Sequence, residues 1–352
     1  MTENNQRYDY QALMAATTTI FTRAGLPEER ARCVAECLLE ADLMGHHTHG
    51  LALLPWYRQM LADGDMTLEG EPEVVGDRGA SICWNGRRLP GAWLVRKAVD
   101  LGIERAGTYG TATIVIADSQ HIGALAAYLR RATDLGMMVV VASSTPSVGG
   151  VAPFGGTRGL FTPDPIAVGI PTDGTPVLID ISASISTLNL AKQLNGQGRD
   201  FPHPWAMDAD GQPTRSTQVV IDGSGTLLPV GGLDHGHKGF GLALMVEALT
   251  QGLAGFGRAD EPRGPRSNIT VQVLDPAAFG GRDAFARQTS WLAAACRANP
   301  PRPGVDRVRM PGERGMANRE QALADGVALG AAAHAGLFDA IRALGLAEPA
   351  PR

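Results

Sequence analysis

The chain has 352 residues, 44% of them hydrophobic and 19% charged, with a formal net charge of -5, an ordinary globular composition long enough for one large or two domains. The acidic balance argues against nucleic acid, whose phosphates need a basic face. No uncharged apolar run reaches the ~18 residues of a membrane span, the start MTENNQRYDYQ has no apolar signal core, and the four cysteines form no Cys-x-x-Cys pair, so a cytoplasmic protein with Cys33 and Cys37 as buried thiols is expected.

In chain order, residues 9–24 and 27–44 are predicted helices separated at Gly25, with Pro27 at the second start. Gly45-His46-His47-Thr48-His49-Gly50 follows, three of the eight histidines in four positions. A hydroxyl beside an imidazole can hold a proton donor in one orientation, although surface histidines at a turn would look the same. A short helix is predicted over 53–63, strands over 73–75 and 80–84 around a turn at Gly76-Asp77, a helix over 93–109, and a β-branched buried strand over 113–117. A helix over 123–135 and strands over 137–143, 166–170, 177–181 and 218–222 come next. The apolar segment 239–255 is expected to be a buried helix, 299–304 a linker, and 317–332 and 335–345 the last helices. Strands alternating irregularly with helices predict an α/β (mixed α+β) fold. The expected division is a helical domain of residues 1–72 plus 299–352 and a mixed-sheet domain of residues 73–298.

The usual dinucleotide fingerprint is absent. Gly223-Ser-Gly225 has no helix after it, and Gly196-Gln-Gly198 follows a helix instead of a strand. Three other segments are candidates for exposing backbone to an anion. They are 119–125 after the 113–117 strand, Asp180-Ile181-Ser182-Ala183-Ser184 after the 177–181 strand, and Gly236-His237-Lys238-Gly239 opening the apolar helix. A lysine in a first turn opposes the helix dipole, so something negative is expected to compensate it. Each segment alone could be a turn or cap; together they point to a ligand. A zinc site from His46, His47, His49, His235 and His237 is an alternative that lacks a cysteine or clustered carboxylate to complete it, and no metal is expected.

Segments 41–50 (ADLMGHHTHG), 119–128 (SQHIGALAAY), 151–156 (VAPFGG), 163–171 (PDPIAVGIP), 176–184 (PVLIDISAS), 236–249 (GHKGFGLALMVEAL) and 310–315 (MPGERG) together resemble the malate/L-lactate/sulfolactate dehydrogenase family, which also includes ureidoglycolate dehydrogenase, diketogulonate reductase and Δ1-piperideine-2-carboxylate reductase. The resemblance spans nearly the whole chain. It implies a non-Rossmann NAD(P)-binding sheet domain, NAD or NADP as cofactor, a homodimer, and hydride transfer at carbon 2 of a 2-oxo or 2-hydroxy acid, or of a cyclic imino acid with a C=N bond. The family's catalytic histidine falls on His49, with Thr48 keeping a hydroxyl beside it in place of the usual serine, and its second histidine falls on His121, placed to touch cofactor or substrate and assigned the proton transfer in some members, so His49, Thr48 and His121 are the implied catalytic residues. Implied cofactor contacts are His121, Ile122, Gly123, Ala124, Leu125, Asp180, Ile181, Ser182, Ala183, Ser184, His237, Lys238, Gly312 and Glu313.

The chain also departs from the family pattern. Leu53 stands where an arginine, four residues after the catalytic histidine, would clamp a substrate carboxylate. The usual Thr-Asn-Pro reads Pro163-Asp164-Pro165, and a supporting acid is not evident in 187–192. With Leu53, Thr162 and Asp164 taken as substrate positions, one cation lost and one anion gained argue against malate or oxaloacetate and for a less anionic substrate. NAD and NADP are not distinguished; Asp118 and Arg130 are conceivable neighbours of the ribose.

Overall fold

The computed structural model describes residues 6–352. Asp9 caps the Tyr10–Arg23 helix, its Oδ1 accepting the Gln11 and Ala12 N–H groups at 2.8 and 3.0 Å, the usual satisfaction of orphan donors at a helix start. The Glu28–Leu43 helix follows, with Glu28 and Glu29 in its first turn, where acids favour the dipole. It stops where Gly45 takes a left-handed φ of 86°. The next helix is Leu54–Ala62.

Seven strands form the main sheet. Across it they run Glu73–Asp77, Ser81–Asn85, Thr111–Ser119, Ser267–Leu274, Met138–Ser144, Ile166–Ile170 and Val177–Ile181. Ser81–Asn85 pairs in parallel with Thr111–Ser119, and every other pairing is antiparallel. The parallel pair requires a crossover, which the Gly91–Tyr109 helix supplies. Gly102 lets that helix lie close to the sheet, since a Cβ there would sit 2.8 Å from Val273 Cγ2. Helices and sheet share one continuous buried cluster that includes Leu13, Leu38, Leu54, Ile114, Val141 and Val271. A smaller cluster, with Phe161, Ala191, Phe201 and Leu227, sits under the Leu188–Gly196 helix and a short three-stranded sheet. At the chain ends, Arg7–Tyr8 pairs with Val327–Ala328, and the Arg352 N–H bonds the Arg7 carbonyl at 2.7 Å. No helix among the described residues is long and apolar enough to cross a membrane.

Several local expectations are corrected. The central strand Ser267–Leu274 and the Arg282–Ala298 helix were not anticipated. Residues 218–222 are not a strand, because Gln218–Ile221 is one helical turn. The helix expected over 123–135 is split into the 3-10 turn Leu125–Tyr128 and the single turn Arg130–Thr133. The turn between the first two strands falls after Asp77, not at Gly76-Asp77. The apolar His237–Glu247 helix is not buried all round, since Leu244 and Met245 are 48% and 46% exposed.

Candidate functional site

His49 lies in the 3-10 turn His47–His49, between the Glu28–Leu43 and Leu54–Ala62 helices. Its Nδ1 is 2.9 Å from Thr48 Oγ1. On the other side its Nε2 faces only the Asn189 amide, at the long distance of 3.5 Å. Asn189 comes from the first turn of Leu188–Gly196, which Thr187 caps through the Leu190 N–H. Burial drives the His49 pKa down to about 4, and His46 nearby pushes the same way.

His121 stacks on His49 with ring centroids 6.1 Å apart and planes 20° from parallel. The Gly123 N–H donates to its Nδ1 at 3.3 Å, and Tyr57 Oη is 2.8 Å from the same nitrogen. A nitrogen accepting from a backbone amide carries no proton, so the neutral ring bears its hydrogen on Nε2. Burial lowers the His121 pKa to about 3, and His49 adds to the effect. Trp56 stands edge-on to His121 at 5.3 Å and is 37% exposed, forming an aromatic wall. Gly123 has a φ of +69°, and a Cβ there would press on Cys37 Sγ at 3.2 Å. Cys33 and Cys37 are free and buried, their thiols pushed up to about 11 and about 12 by burial.

The segments expected to contact a cofactor converge on the Val177–Ile181 strand. Asp180 Oδ2 accepts the Ala126 N–H at 2.9 Å, tying 121–126 to this strand. Beyond it, the Val230 N–H bonds the Ala183 carbonyl at 2.8 Å and the Gly239 N–H bonds the Val230 carbonyl at 3.1 Å, which brings in the start of His237–Glu247. A Cβ at Gly239 would overlap Val230 and Ala183 backbone. From the other side, the Leu178 N–H bonds the Pro311 carbonyl at 3.1 Å, and Gly312, at φ +84°, leaves no room for a side chain against Leu178. Ile181 is 49% exposed. Lys238 is exposed and forms no ion pair among the described residues, so a lone cation at a helix N-terminus fits a dinucleotide phosphate. Glu313 is already engaged by Arg307 at 2.6 Å and the Met310 N–H at 2.9 Å, which hold its carboxyl below its usual range. Asp118 and Arg130 are likewise paired, with Arg266 and Asp134.

Of the substrate positions, Leu53 is 8% exposed and Thr162 7%. Asp164 must be corrected. It is fully buried, accepts the Thr162 hydroxyl, and presents no carboxylate to a substrate. Burial and then Glu247 raise its pKa to about 8, while Glu247 itself pairs with Arg258 at 2.7 Å. Asp164 therefore adds no exposed negative charge, and the charge argument against dicarboxylates rests on Leu53 alone. Tyr57, Trp56 and Asn189 were missed at the site. The only available signal was that Trp56-Tyr57 follow His49 by two helical turns; nothing local marks Asn189. Among the described residues no three His, Cys, Asp or Glu side chains are placed to hold a metal ion.

A model of the malate/L-lactate dehydrogenase family matches residues 8–337. An L-lactate dehydrogenase of Cupriavidus necator is 32% identical over 308 residues, covering 84% of this chain and 86% of the relative. A Δ1-pyrroline-2-carboxylate/Δ1-piperideine-2-carboxylate reductase of Pseudomonas syringae pv. tomato is 31% identical over 337 residues, covering 92% and 93%. The solved malate dehydrogenase of Pyrococcus horikoshii OT3 superposes with a TM-score of 0.88 at 25% identity over 99% of both chains. With the family match spanning almost the whole chain, this protein belongs to the malate/L-lactate dehydrogenase family, a family of NAD(P)-dependent oxidoreductases.

Proposed function

We propose that His49 is the proton donor and acceptor in hydride transfer at carbon 2 of a 2-oxo or 2-hydroxy acid. The carrying observation is the asymmetry of its ring. Nδ1 is held by the Thr48 hydroxyl at 2.9 Å, while Nε2 meets only a distant amide and is available to a reacting oxygen. When bound, NAD or NADP accepts or supplies the hydride. In oxidation, neutral His49 takes the hydroxyl proton at Nε2. In reduction, protonated His49 returns it to the oxygen as negative charge develops there. His121 cannot share this work through Nδ1, which already accepts a hydrogen bond. Its Nε2–H acts as a neutral donor that orients the substrate or cofactor, so the proton transfer is given to His49 and not to His121. Residues 121–125, 180–184, 237–238 and 312 are the proposed cofactor cradle.

Trp56 stands edge-on to His121 as the partly exposed apolar wall, and Leu53, in place of the expected arginine, supplies no cation. They favour a 2-oxo acid with a larger apolar side chain over a small dicarboxylate. The same apolar wall supports a second reading, reduction of the C=N bond of a cyclic imino acid. We further propose a homodimer, because Leu244, Met245, Leu253, Trp291 and Leu292 are 46–68% exposed, more apolar surface than a monomer usually leaves in water. The helical unit (1–72 with 299–352) would carry His49, the sheet unit (73–298) would carry the cofactor cradle, and the protein would work in the cytoplasm. The test is His49→Ala, assayed with both reduced cofactors against a panel of 2-oxo acids, with and without an amine. Turnover should fall by roughly 10²–10⁴-fold while nucleotide binding, followed by fluorescence, persists. Retained turnover would overturn the assignment.

A further inference from the structure

We infer that Asp42 is the positioning residue that holds His49 in place; the inference rests on the reading of His49 as proton carrier. Asp42 lies in the last turn of Glu28–Leu43 and is 4% exposed. Its Oδ2 accepts the Leu51 N–H at 2.7 Å, and its Oδ1 lies 3.1 Å from His47 Nδ1. The two contacts grip the chain two residues before and two residues after His49. Between them, the Asp42 carboxyl fills the hollow of the turn so closely that a Cβ on Gly50 would overlap it. The close approach of the carboxyl is therefore one reason for glycine at position 50. The turn keeps its shape through the His49 N–H on the His46 carbonyl at 2.8 Å and the Leu53 N–H on the Gly50 carbonyl at 3.0 Å.

Asp42 does not belong to the reacting site itself. With His47 and Gly45 it lines a separate surface cavity of about 150 Å³, also lined by Arg7, Asn318 and Gln321. None of the residues round the His49 and His121 rings lines that cavity. The carboxyl therefore acts through the backbone of 47–51. A displacement of about 1 Å at a catalytic group can cost about 10²-fold in rate, and a buried carboxylate bridging two points of a turn is the kind of restraint that prevents one.

The experiment compares Asp42→Ala, Asp42→Asn, Gly50→Ala and the double variant Asp42→Ala/Gly50→Ala, with His49→Ala alongside. Asp42→Ala should lower kcat by about 10²-fold and leave nucleotide binding, read by fluorescence, unchanged. Asn keeps an oxygen to accept the Leu51 N–H, so Asp42→Asn should recover most of the lost kcat. Gly50→Ala displaces the same carboxyl, so it should reproduce the loss, and the double variant should be no worse than the poorer single one because both act on one contact. If Asp42→Ala does not fold, Gly50→Ala carries the test alone. Wild-type kcat in Asp42→Ala or in Gly50→Ala, or no recovery in Asp42→Asn, overturns the inference. If His49→Ala is active, the parent reading fails; if it is inactive and Asp42→Ala is active, only the brace fails.

Discussion

Asn189→Asp places a carboxylate where an amide now lies 3.5 Å from His49 Nε2. Opposite unit charges at about 4 Å attract by roughly 1 kcal/mol in water and roughly 4 kcal/mol at the effective dielectric of a partly buried site. At 1.36 kcal/mol per pKa unit, this stabilises the imidazolium by about 1–3 units. His49 would rise from about 4 to roughly 5–7. The sign follows from which form reacts. Oxidation needs the neutral ring, so the acid limb of kcat/KM for the hydroxy acid, expected near pH 4 in the wild type, should move to about pH 5–7 in the variant. Reduction needs the protonated ring. Its fraction at pH 7 rises from about 10⁻³ to between 10⁻² and one half, and reductive kcat/KM should rise with it. The assay is kcat/KM against pH in both directions, followed by nicotinamide absorbance. An oxidative midpoint that stays in place or moves down would refute the electrostatic reasoning and the role of Nε2 together.

Three other outcomes follow from the geometry. Leu53→Arg should raise kcat/KM for oxaloacetate relative to a large apolar 2-oxo acid by about 10–100-fold, the worth of one charge-assisted bond, and an unchanged ratio would show that this position does not face the substrate carboxylate. Asp164→Asn should stabilise the protein at high pH. The folded pKa of Asp164 is raised from 3.8 to about 8, so its stabilisation is full below pH 3.8 and is lost progressively up to about pH 8; thermal melts at pH 9 should favour the variant, and at pH 4 the two should agree. Met245→Lys should weaken self-association of the proposed dimer, seen as a slower-sedimenting species at equal concentration, because it places a charge in an apolar exposed face.

The helical N-terminal part and the strands Ile166–Ile170 and Val177–Ile181 were readable because their apolar periods are local and their stops are marked by glycine or proline. Ser267–Leu274 has β-branched residues at Ile269, Thr270, Val271 and Val273, yet nothing in its own sequence announces that it pairs between two strands more than a hundred residues earlier. The apolar content of residues 239–255 predicts a buried helix but fixes no partner, so the exposure of Leu244, Met245 and Leu253 is not legible in it. At the site, His49 and His121 stood out by residue type and motif. Asn189 and Asp42 did not, since an amide and an acid on helices look like solvated surface until the fold turns one toward His49 and seals the other beneath Leu51.

The central position of Ser267–Leu274 also bears on how the molecule can assemble. Thr111–Ser119 and Met138–Ser144 each bond to it on one side and not to one another. While a ribosome is still making residues 145–266, both strands present unpaired amide and carbonyl rows, the kind of edge that recruits foreign strands. Closure across such a long chain separation is entropically slow, so the main sheet is completed only after its central strand, far downstream in the chain, has been made.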